Sequence, residues 1–415
     1  MTSIIKYPEK WREGKEQVEW AYQHMPAIKM IYEDYKDVKP FKGYKITLCL
    51  HITKETGVFA KTLKDLGAEI SLTASNPLST QDDVAAYLAR EGVNVFGWRG
   101  ESNEEYYQMM HTALDLEPNL VVDDGGDLHS LIHSERRELT VNIFGGTEET
   151  TTGVIRLKAM EREGVLQYPV IAVNDTPTKR IFDNKYGSGQ STIDGILRAT
   201  SILIAGKTVV VAGYGYVGRG VALRARGLGA KVVVTEVDPV KAIEAHLEGF
   251  MVMPMSKAAE VGDIFITCTG MRDVIRREHM MRMKDGVILA NAGHFNVEIN
   301  LKDLEDLSVG KERIRKYVDK YMLRDGRKIY LIGEGRLVNL VAAEGHPPDV
   351  MMNSFANQLL SLLYIIENRD KLEKRVYQVP REIDEMVARY TLKGWNIEID
   401  ELTEDQIRYW ESWRL

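Results

Sequence analysis

From Gly43 onward, short runs rich in β-branched residues alternate with stretches whose apolar residues recur at helical spacing. Parallel strands buried on both faces read as near-continuous apolar runs, so this alternation predicts an α/β fold with helical crossovers. The first series places strands at Lys45–Leu50, Glu69–Thr73, Asn94–Gly97, Leu120–Val122 and Val170–Val173. A second series begins at Thr208 and runs through Lys231–Thr235, Ile264–Thr267, Val287–Ala290 and Ile329–Leu331. Phe182–Thr192 (FDNKYGSGQST) lies between them with two glycines and little apolar patterning, which suits a hinge or linker. After Gly345–Pro348, the spacing in NSFANQLLSLLYIIENRDKLEK predicts a long amphipathic helix. The last stretch, IDELTEDQIRYWESWRL, reads as a short exposed helix whose Trp410, Trp413 and Leu415 pack on a partner subunit or fold back into the core of the same chain.

At 415 residues the chain exceeds one compact core, so two large domains are expected. Its formal net charge of -7 argues against nucleic acid or an anionic membrane as partner, since both select a basic surface. A small-molecule substrate fits better. Cys49 and Cys268 sit in apolar runs, ITLCL and IFITCTG, which points to two buried thiols in a reducing compartment rather than a disulfide framework. The opening MTSIIKYPEKWREGKEQ lacks the apolar core and cleavage site of a secretory signal, and no apolar stretch reaches the roughly 18–20 residues of a membrane span. A soluble, cytoplasmic protein is expected.

In open parallel sheets ligands settle beyond the carboxyl ends of the strands. The residues there are His51, Ser75–Asn76, Asp123–Asp124 and Asn174, a chemically loaded set. The second series opens with KTVVVAGYGYVGRGVALRARGLGAKVVVTEVDP, where Gly213, Gly215 and Gly218 have GxGxxG spacing between strand and helix, and Glu236 ends the next strand. The glycines allow a tight turn and close approach of a pyrophosphate, and the helix N-terminus favours its charge. A carboxylate at that distance holds a ribose diol and repels a 2′-phosphate, so NAD is expected rather than NADP. Lys179 and Asp183, four apart in TKRIFDN, share one helical face beside the hinge, a spacing that fits an exposed ion pair and a substrate contact equally well.

DDGGDL holds Asp123, Asp124 and Asp127, and EETTTG holds Glu148, Glu149, Thr150, Thr151 and Thr152. Each cluster reads as turns and helix caps or as site residues. With no histidine at ligand spacing, no metal site is expected from these carboxylates. His51, His294 in ANAGHF and His346 in EGHPPD suit either a structural hydrogen bond or proton transfer.

These segments occur together and in one order: LHITKET, NPLSTQDD, DDGGDL, EETTTG, VNDTPTKRIFDNKYG, VVVAGYGYVGRG, TEVDP, NAGHF, GEGRLVNL and GHP. The series resembles the S-adenosylhomocysteine hydrolase family over nearly the whole chain. The resemblance implies two doubly wound Rossmann-like domains with mainly parallel sheets, plus a small C-terminal helical segment. A substrate domain in two pieces (1–184 and 346–395) would flank an NAD domain (185–345), with an oligomerisation segment at 396–415. It further implies an enzyme that reversibly hydrolyses S-adenosyl-L-homocysteine to adenosine and L-homocysteine. Family members do so by 3′-oxidation, elimination, water addition and re-reduction on one NAD, as cytoplasmic homotetramers in the methionine cycle.

By match to the family's motifs, Lys179, Asp183 and Asn184 bind and activate the ribose hydroxyls, and Glu149 also holds them. Asp124 and His51 match the pair that handles the C4′ proton and the 5′ leaving group. Thr53, Glu55 and Thr56 match contacts to the adenine, with His346 and Met351 near the same pocket. His294 matches the residue close to the ribose and nicotinamide. Thr150, Thr151, Thr152, Gly213, Gly215, Tyr216, Val217, Gly218, Glu236, Asn291 and Asn339 match cofactor contacts.

Four features depart from the family pattern. Ser188 stands where longer members have cysteine, Tyr216 where the glycine loop often has aspartate, and Glu344 where many have a methionine lining the adenine pocket. The chain also stops at Leu415 without the lysine- and tyrosine-bearing tail of long members, and so resembles the short form of archaea and some thermophilic bacteria, a resemblance that implies looser NAD retention. One alternative is the same chemistry on S-inosyl-L-homocysteine. Members of that kind resemble LHLEAKT where this chain has LHITKET, and Thr53 with Glu55 favours adenine. The others are a net NAD dehydrogenase and a catalytically silent relative that binds NAD or a nucleoside.

Overall fold

Each predicted apolar run becomes a strand with ends within a residue of the pattern, in a computed structural model that describes residues 2–413. In the first sheet these are β1 (Lys45–Cys49), β2 (Glu69–Thr73), β3 (Asn94–Phe96), β4 (Leu120–Asp123) and β6 (Val170–Ala172). The pattern misses β5 (Gly145–Glu148), whose sequence GGTE carries no β signal. Its glycines are explained by packing. A Cβ on Gly146 would lie 2.6 Å from the His129 ring, and one on Gly145 2.8 Å from Ile365.

The second sheet contains β7 (Thr208–Ala212), β8 (Lys231–Thr235), β9 (Met251–Val252), β10 (Ile264–Thr267), β11 (Val287–Asn291), β12 (Ser308–Arg315), β13 (Val318–Leu323) and β14 (Lys328–Ile332). Its order is β12-β13-β14-β11-β10-β7-β8-β9, parallel except for β13, which runs antiparallel to both β12 and β14 at one edge. Exposed charges along β12 (KERIR) blunt that edge against further pairing. A last strand, β15 (Val376–Gln378), returns to the first sheet, whose order is β15-β6-β5-β4-β1-β2-β3, parallel throughout. The strand order reverses between β1 and β4 in one sheet and between β7 and β10 in the other. Crevices at such reversals are where α/β proteins place ligands.

Two sequence expectations change. The helix Pro348–Asn368 is not amphipathic in the ordinary sense, because Asn353, Ser354, Asn357, Gln358 and Ser361 are all fully buried. Part of its polar stripe meets protein partners instead of water: Asn357 Nδ2 donates to Thr178 Oγ1 at 2.8 Å, whereas the Ser354 and Ser361 hydroxyls have no hydrogen-bond partner among the described residues. The expected hinge is also helical: a π-helix over Arg180–Gly187 continues directly into an α-helix over Ser188–Thr200. Its glycines serve close packing, for a Cβ on Gly189 would lie 2.5 Å from the Gly220 carbonyl carbon. At the C-terminal end, Glu404–Glu411 is helical, and Trp410 and Trp413 are 84% and 86% exposed, so neither enters the core. Leu415 lies outside the described residues. Among the described residues, no helix is long and apolar enough to cross a membrane.

Candidate active site

The carboxyl ends of both sheets open onto one cavity of about 690 Å³, a size suited to a small molecule. His51 follows β1 and Asp124 follows β4, so the strand-order reversal brings them together: His51 Nε2 lies 3.3 Å from Asp124 Oδ2. Burial pushes the His51 pKa down to about 4, against the pull of Asp124 and with a further push from His294 and His346. The ring is therefore neutral at pH 7. Asp124 Oδ1 is buried and without a hydrogen-bond partner among the described residues, a free acceptor at the cavity wall.

A denser group surrounds Lys179, whose side chain is 2% exposed. Its Nζ donates to Asp183 Oδ1 (3.0 Å), Asn184 Oδ1 (2.9 Å) and Asn174 Oδ1 (3.3 Å), and lies 3.6 Å from Glu149 Oε1. The wide π-turn makes this possible by bringing residues four and five positions on to the same amine. Burial works against the ammonium, but Asp183 and Glu149 outweigh it and raise the Lys179 pKa. Burial likewise works against the Asp183 carboxylate, and Lys179 and His346 reverse that and hold it well below the usual range. His346 Nδ1 is 3.0 Å from Asp183 Oδ2. Glu149 differs: burial raises it to about 7, with Lys179 opposing.

Behind this wall, Glu148 Oε1 accepts from Gly125 N (2.8 Å), Thr150 N (3.0 Å) and Thr150 Oγ1 (2.9 Å), tying the loop that carries Asp124 to the one that carries Glu149–Thr152. Gly125 has φ +107°, and a Cβ there would lie 2.5 Å from His294 Nε2, so no other residue fits. Asp123 stands opposite Glu148 in the sheet and accepts from Asp124 N and His129 N. The fold brings His129 to both carboxylates, with ligand atoms within 4.8 Å of one another, so sequence spacing is no guide to histidines near these acids.

On the opposite wall, Gly213 has φ +95°, and a Cβ on Gly218 would lie 1.9 Å from Gly213 O, which leaves room for glycine alone. A Cβ on Gly215 would meet nothing within 4 Å: that backbone faces the open cavity, beside Tyr216 and Val217 at the start of the helix Tyr216–Gly227. Glu236 is fixed at the end of β8, with Oε2 accepting from Tyr214 N (2.6 Å) and Oε1 from Val237 N (2.7 Å) and Asp238 N (3.0 Å). Asn339, on the cavity wall, has its Oδ1 buried and without a hydrogen-bond partner among the described residues. This open glycine turn, the helix start and the strand-end carboxylate fit a dinucleotide.

Of the other residues singled out in the sequence, Thr53, Thr56, Thr150, Thr151, Thr152, His294, His346 and Met351 line the cavity. Glu55 is buried and does not line the cavity; its Oε1 lies 3.3 Å from Lys54 Nζ. Asn291 stands away from the cavity wall, its amide donating to the Gly293, Phe295 and Gly335 carbonyls while Oδ1 accepts from Thr267 and Gly293. Cys268, expected to be buried, lines the cavity and is only half-buried. Two departures acquire partners: Glu344 pairs with Lys54 (2.9 Å) and Arg198 (3.3 Å), and Ser188 Oγ lies 3.2 Å from His346 Nε2. Sequence reading assigned no role to Gln358, whose Nε2 donates to Glu149 Oε2 at 2.6 Å, or to Ser79, whose Oγ lies 2.7 Å from His51 Nδ1. The polar stripe of Pro348–Asn368 is the signal that could have found the first.

One wall is thus a dinucleotide site and the other carries buried acid–base groups, which defines a dinucleotide-dependent α/β enzyme acting on a small molecule. Residues 184–345 match the family description "S-adenosyl-L-homocysteine hydrolase, NAD binding domain", and residues 4–142 match "S-adenosyl-L-homocysteine hydrolase". The chain is 60% identical over 402 residues to the adenosylhomocysteinase of Aeropyrum pernix, covering 97% of each chain. It is 59% identical over 402 residues to that of Sulfurisphaera tokodaii, covering 97% of this chain and 96% of the other. It is also 59% identical over 404 residues to the S-inosyl-L-homocysteine hydrolase of Methanocaldococcus jannaschii, again covering 97% of each. The chain belongs to the S-adenosyl-L-homocysteine hydrolase family, and its cofactor is NAD.

Proposed function

We propose that this cavity hydrolyses S-adenosyl-L-homocysteine reversibly to adenosine and L-homocysteine. The observation that carries the reading is the meeting, in one cavity, of the Lys179-centred cluster and the separate His51–Asp124 pair, both facing the glycine turn. NAD, when bound, supplies reversible oxidation at the ribose 3′-carbon. Gly213, Gly215, Tyr216, Val217, Gly218 and Glu236 would hold it, with Thr150–Thr152 and Asn339, while Asn291 braces the turn at Gly293 from behind the wall.

Lys179, Asp183 and Asn184 orient and activate the ribose hydroxyls, and Glu149 holds them from the other side. Asp124 and His51 move the C4′ proton and the proton that accompanies the 5′ leaving group, each step of that kind giving about 10²–10⁴-fold. His294, packed over Gly125, sits where ribose and nicotinamide meet. Thr53, Glu55 and Thr56, with His346 and Met351, receive the base. Adenine is favoured over hypoxanthine because the Glu55 carboxylate, held beside Lys54 Nζ at 3.3 Å, accepts a hydrogen bond from an exocyclic amine, whereas hypoxanthine presents a carbonyl there. Overall identity does not choose between the two bases, since relatives of both kinds are equally similar.

The substrate domain comprises 1–184 and 346–395, the NAD domain 185–345, and the segment 396–415 with its exposed Trp410 and Trp413 joins subunits into a homotetramer. The enzyme acts in the cytoplasm, in the methionine cycle. The test is homocysteine release by purified protein supplied with NAD and either S-adenosyl- or S-inosyl-L-homocysteine. No release from either sinks the hydrolase reading, and equal rates sink the choice of adenine.

A further inference from the structure

We infer that Ser79 is a positioning residue that keeps a proton on His51 Nδ1, so that Nε2 is the nitrogen that trades protons with Asp124. The inference rests on the proposed role of His51 and Asp124 as the acid–base pair. Only Nε2 faces Asp124, at 3.3 Å, and Nδ1 faces Ser79 Oγ at 2.7 Å. A neutral imidazole that takes and returns a proton at Nε2 must hold its other proton on Nδ1, and that proton needs an acceptor. Ser79 supplies one. Its own hydroxyl proton goes to Asn76 O at 3.0 Å, which leaves a lone pair for Nδ1–H.

The turn that carries Ser79 is built to hold it there. Asn76 Oδ1 accepts from Leu78 N (2.9 Å), Gln81 N donates to Ile52 O (2.8 Å), and Gln81 Oε1 accepts from Lys54 N (2.9 Å). The turn is thereby stitched to the segment that directly follows His51. Ser79 is itself buried, so water does not compete for the contact. The charged and titratable groups facing the ring are Asp124, Asp183, His294 and His346, and none of them lies at Nδ1. A hydroxyl orients the ring without bringing a second negative charge to it, as a carboxylate in that place would. His51 stays neutral at rest, and its Nε2 stands 3.3 Å from Asp124 Oδ2, placed to pass a proton during turnover.

The test separates two steps in wild type, Ser79→Ala, Ser79→Thr and Asp124→Asn. Enzyme-bound NADH formed from adenosine reports oxidation, and deuterium uptake at C4′ from heavy water reports proton transfer. Ser79→Ala should form NADH normally while C4′ exchange falls on the order of tenfold or more and its pH profile shifts. Ser79→Thr should restore the exchange. Unchanged exchange in Ser79→Ala, equal loss of both steps, or no rescue by threonine overturns the assignment. Nitrogen-15 NMR of histidine-labelled wild type reads the tautomer without any variant: a neutral His51 ring protonated on Nε2 overturns it too. Should Asp124→Asn exchange normally, the acid–base reading itself fails. Should Asp124→Asn lose exchange while Ser79→Ala keeps it, only the role of Ser79 fails.

Discussion

The two groups that face each other in the cavity hold charge in opposite ways. Around Lys179, an ammonium and the Asp183 carboxylate are buried together, and each keeps the other ionised through short contacts that the π-turn brings within reach. Around His51, burial prevails: the ring is neutral, and its neighbour Asp124 retains an unpartnered oxygen. Fixed charge suits binding and polarising hydroxyls, whereas a neutral base beside a free acceptor suits a proton that must come and go. The difference teaches that one buried pocket can set two protonation regimes a few residues apart, according to whether a counter-charge is buried with the group.

The strongest way to break the contrast is Lys179→Ala. It should abolish detectable enzyme-bound NADH on adding adenosine, a loss of about 10³-fold or more, because the 3′-hydroxyl is neither placed nor activated. It should also cost about 3–5 kcal/mol of stability, since Asp183 and Glu149 would lose their buried counter-charge. Normal NADH formation would show that the cluster is structural. Next in size, Asp124→Asn should form NADH but lose C4′ exchange and homocysteine release by about 10²–10⁴-fold. Normal exchange would place the proton step elsewhere.

Gln358→Leu sharpens the contrast from within the helix Pro348–Asn368. Removing the donor to Glu149 should cost about 1–3 kcal/mol at the oxidation step, read as slower NADH formation, and leave the pH profile of C4′ exchange unchanged. A change in that profile would mean that the two groups are not independent.

The smallest effect lies outside both groups and measures what burial does with no counter-charge alongside. Burial raises the Glu101 pKa to about 8, Glu105 and Asp82 add to it, and Lys6 opposes weakly. Neither carboxyl oxygen has a hydrogen-bond partner among the described residues. The folded chain therefore keeps a proton that the unfolded chain releases near pH 4.5, so stability falls as pH rises from about 4.5 through about 8. Glu101→Gln removes that loss. Its melting temperature should match wild type near pH 4 and exceed it by about 1–2 °C at pH 8, by calorimetry. An advantage that does not grow with pH would mean that the carboxyl ionises more easily than its burial implies.

What could be read from the sequence follows from what is local. β1, β8 and β10 are apolar runs, and the glycine turn with Glu236 is a contiguous signature whose parts meet through one strand, one helix and the next strand. The cavity residues were recognisable by their order along the chain, and their positions at strand ends follow from the alternation. What stayed hidden depends on distant contacts. β5 is a strand because its glycines admit His129 and Ile365, and nothing within GGTE says so. Gln358 meets Glu149 across 209 positions, and Ser79 meets His51 across 28, so neither partnership leaves a local pattern. The helical form of the segment between the two series stayed hidden for a related reason: glycines that loosen an isolated peptide become contact points when another helix lies against them.

The π-turn over Arg180–Gly187 makes the ribose side of the cavity depend on the count of residues as much as on their identity. A π-turn accommodates one residue more than an α-turn of the same span, so removing a single residue from this stretch would let it tighten into ordinary helix. Within the stretch the side chains would fall to ordinary helical spacing, which turns a residue five positions on about 140° away from the first. Asp183 and Asn184 could no longer both reach the Lys179 amine, although each would still be present. A one-residue deletion here would scatter the cluster with no chemical group lost, damage that a comparison of amino-acid types alone would overlook.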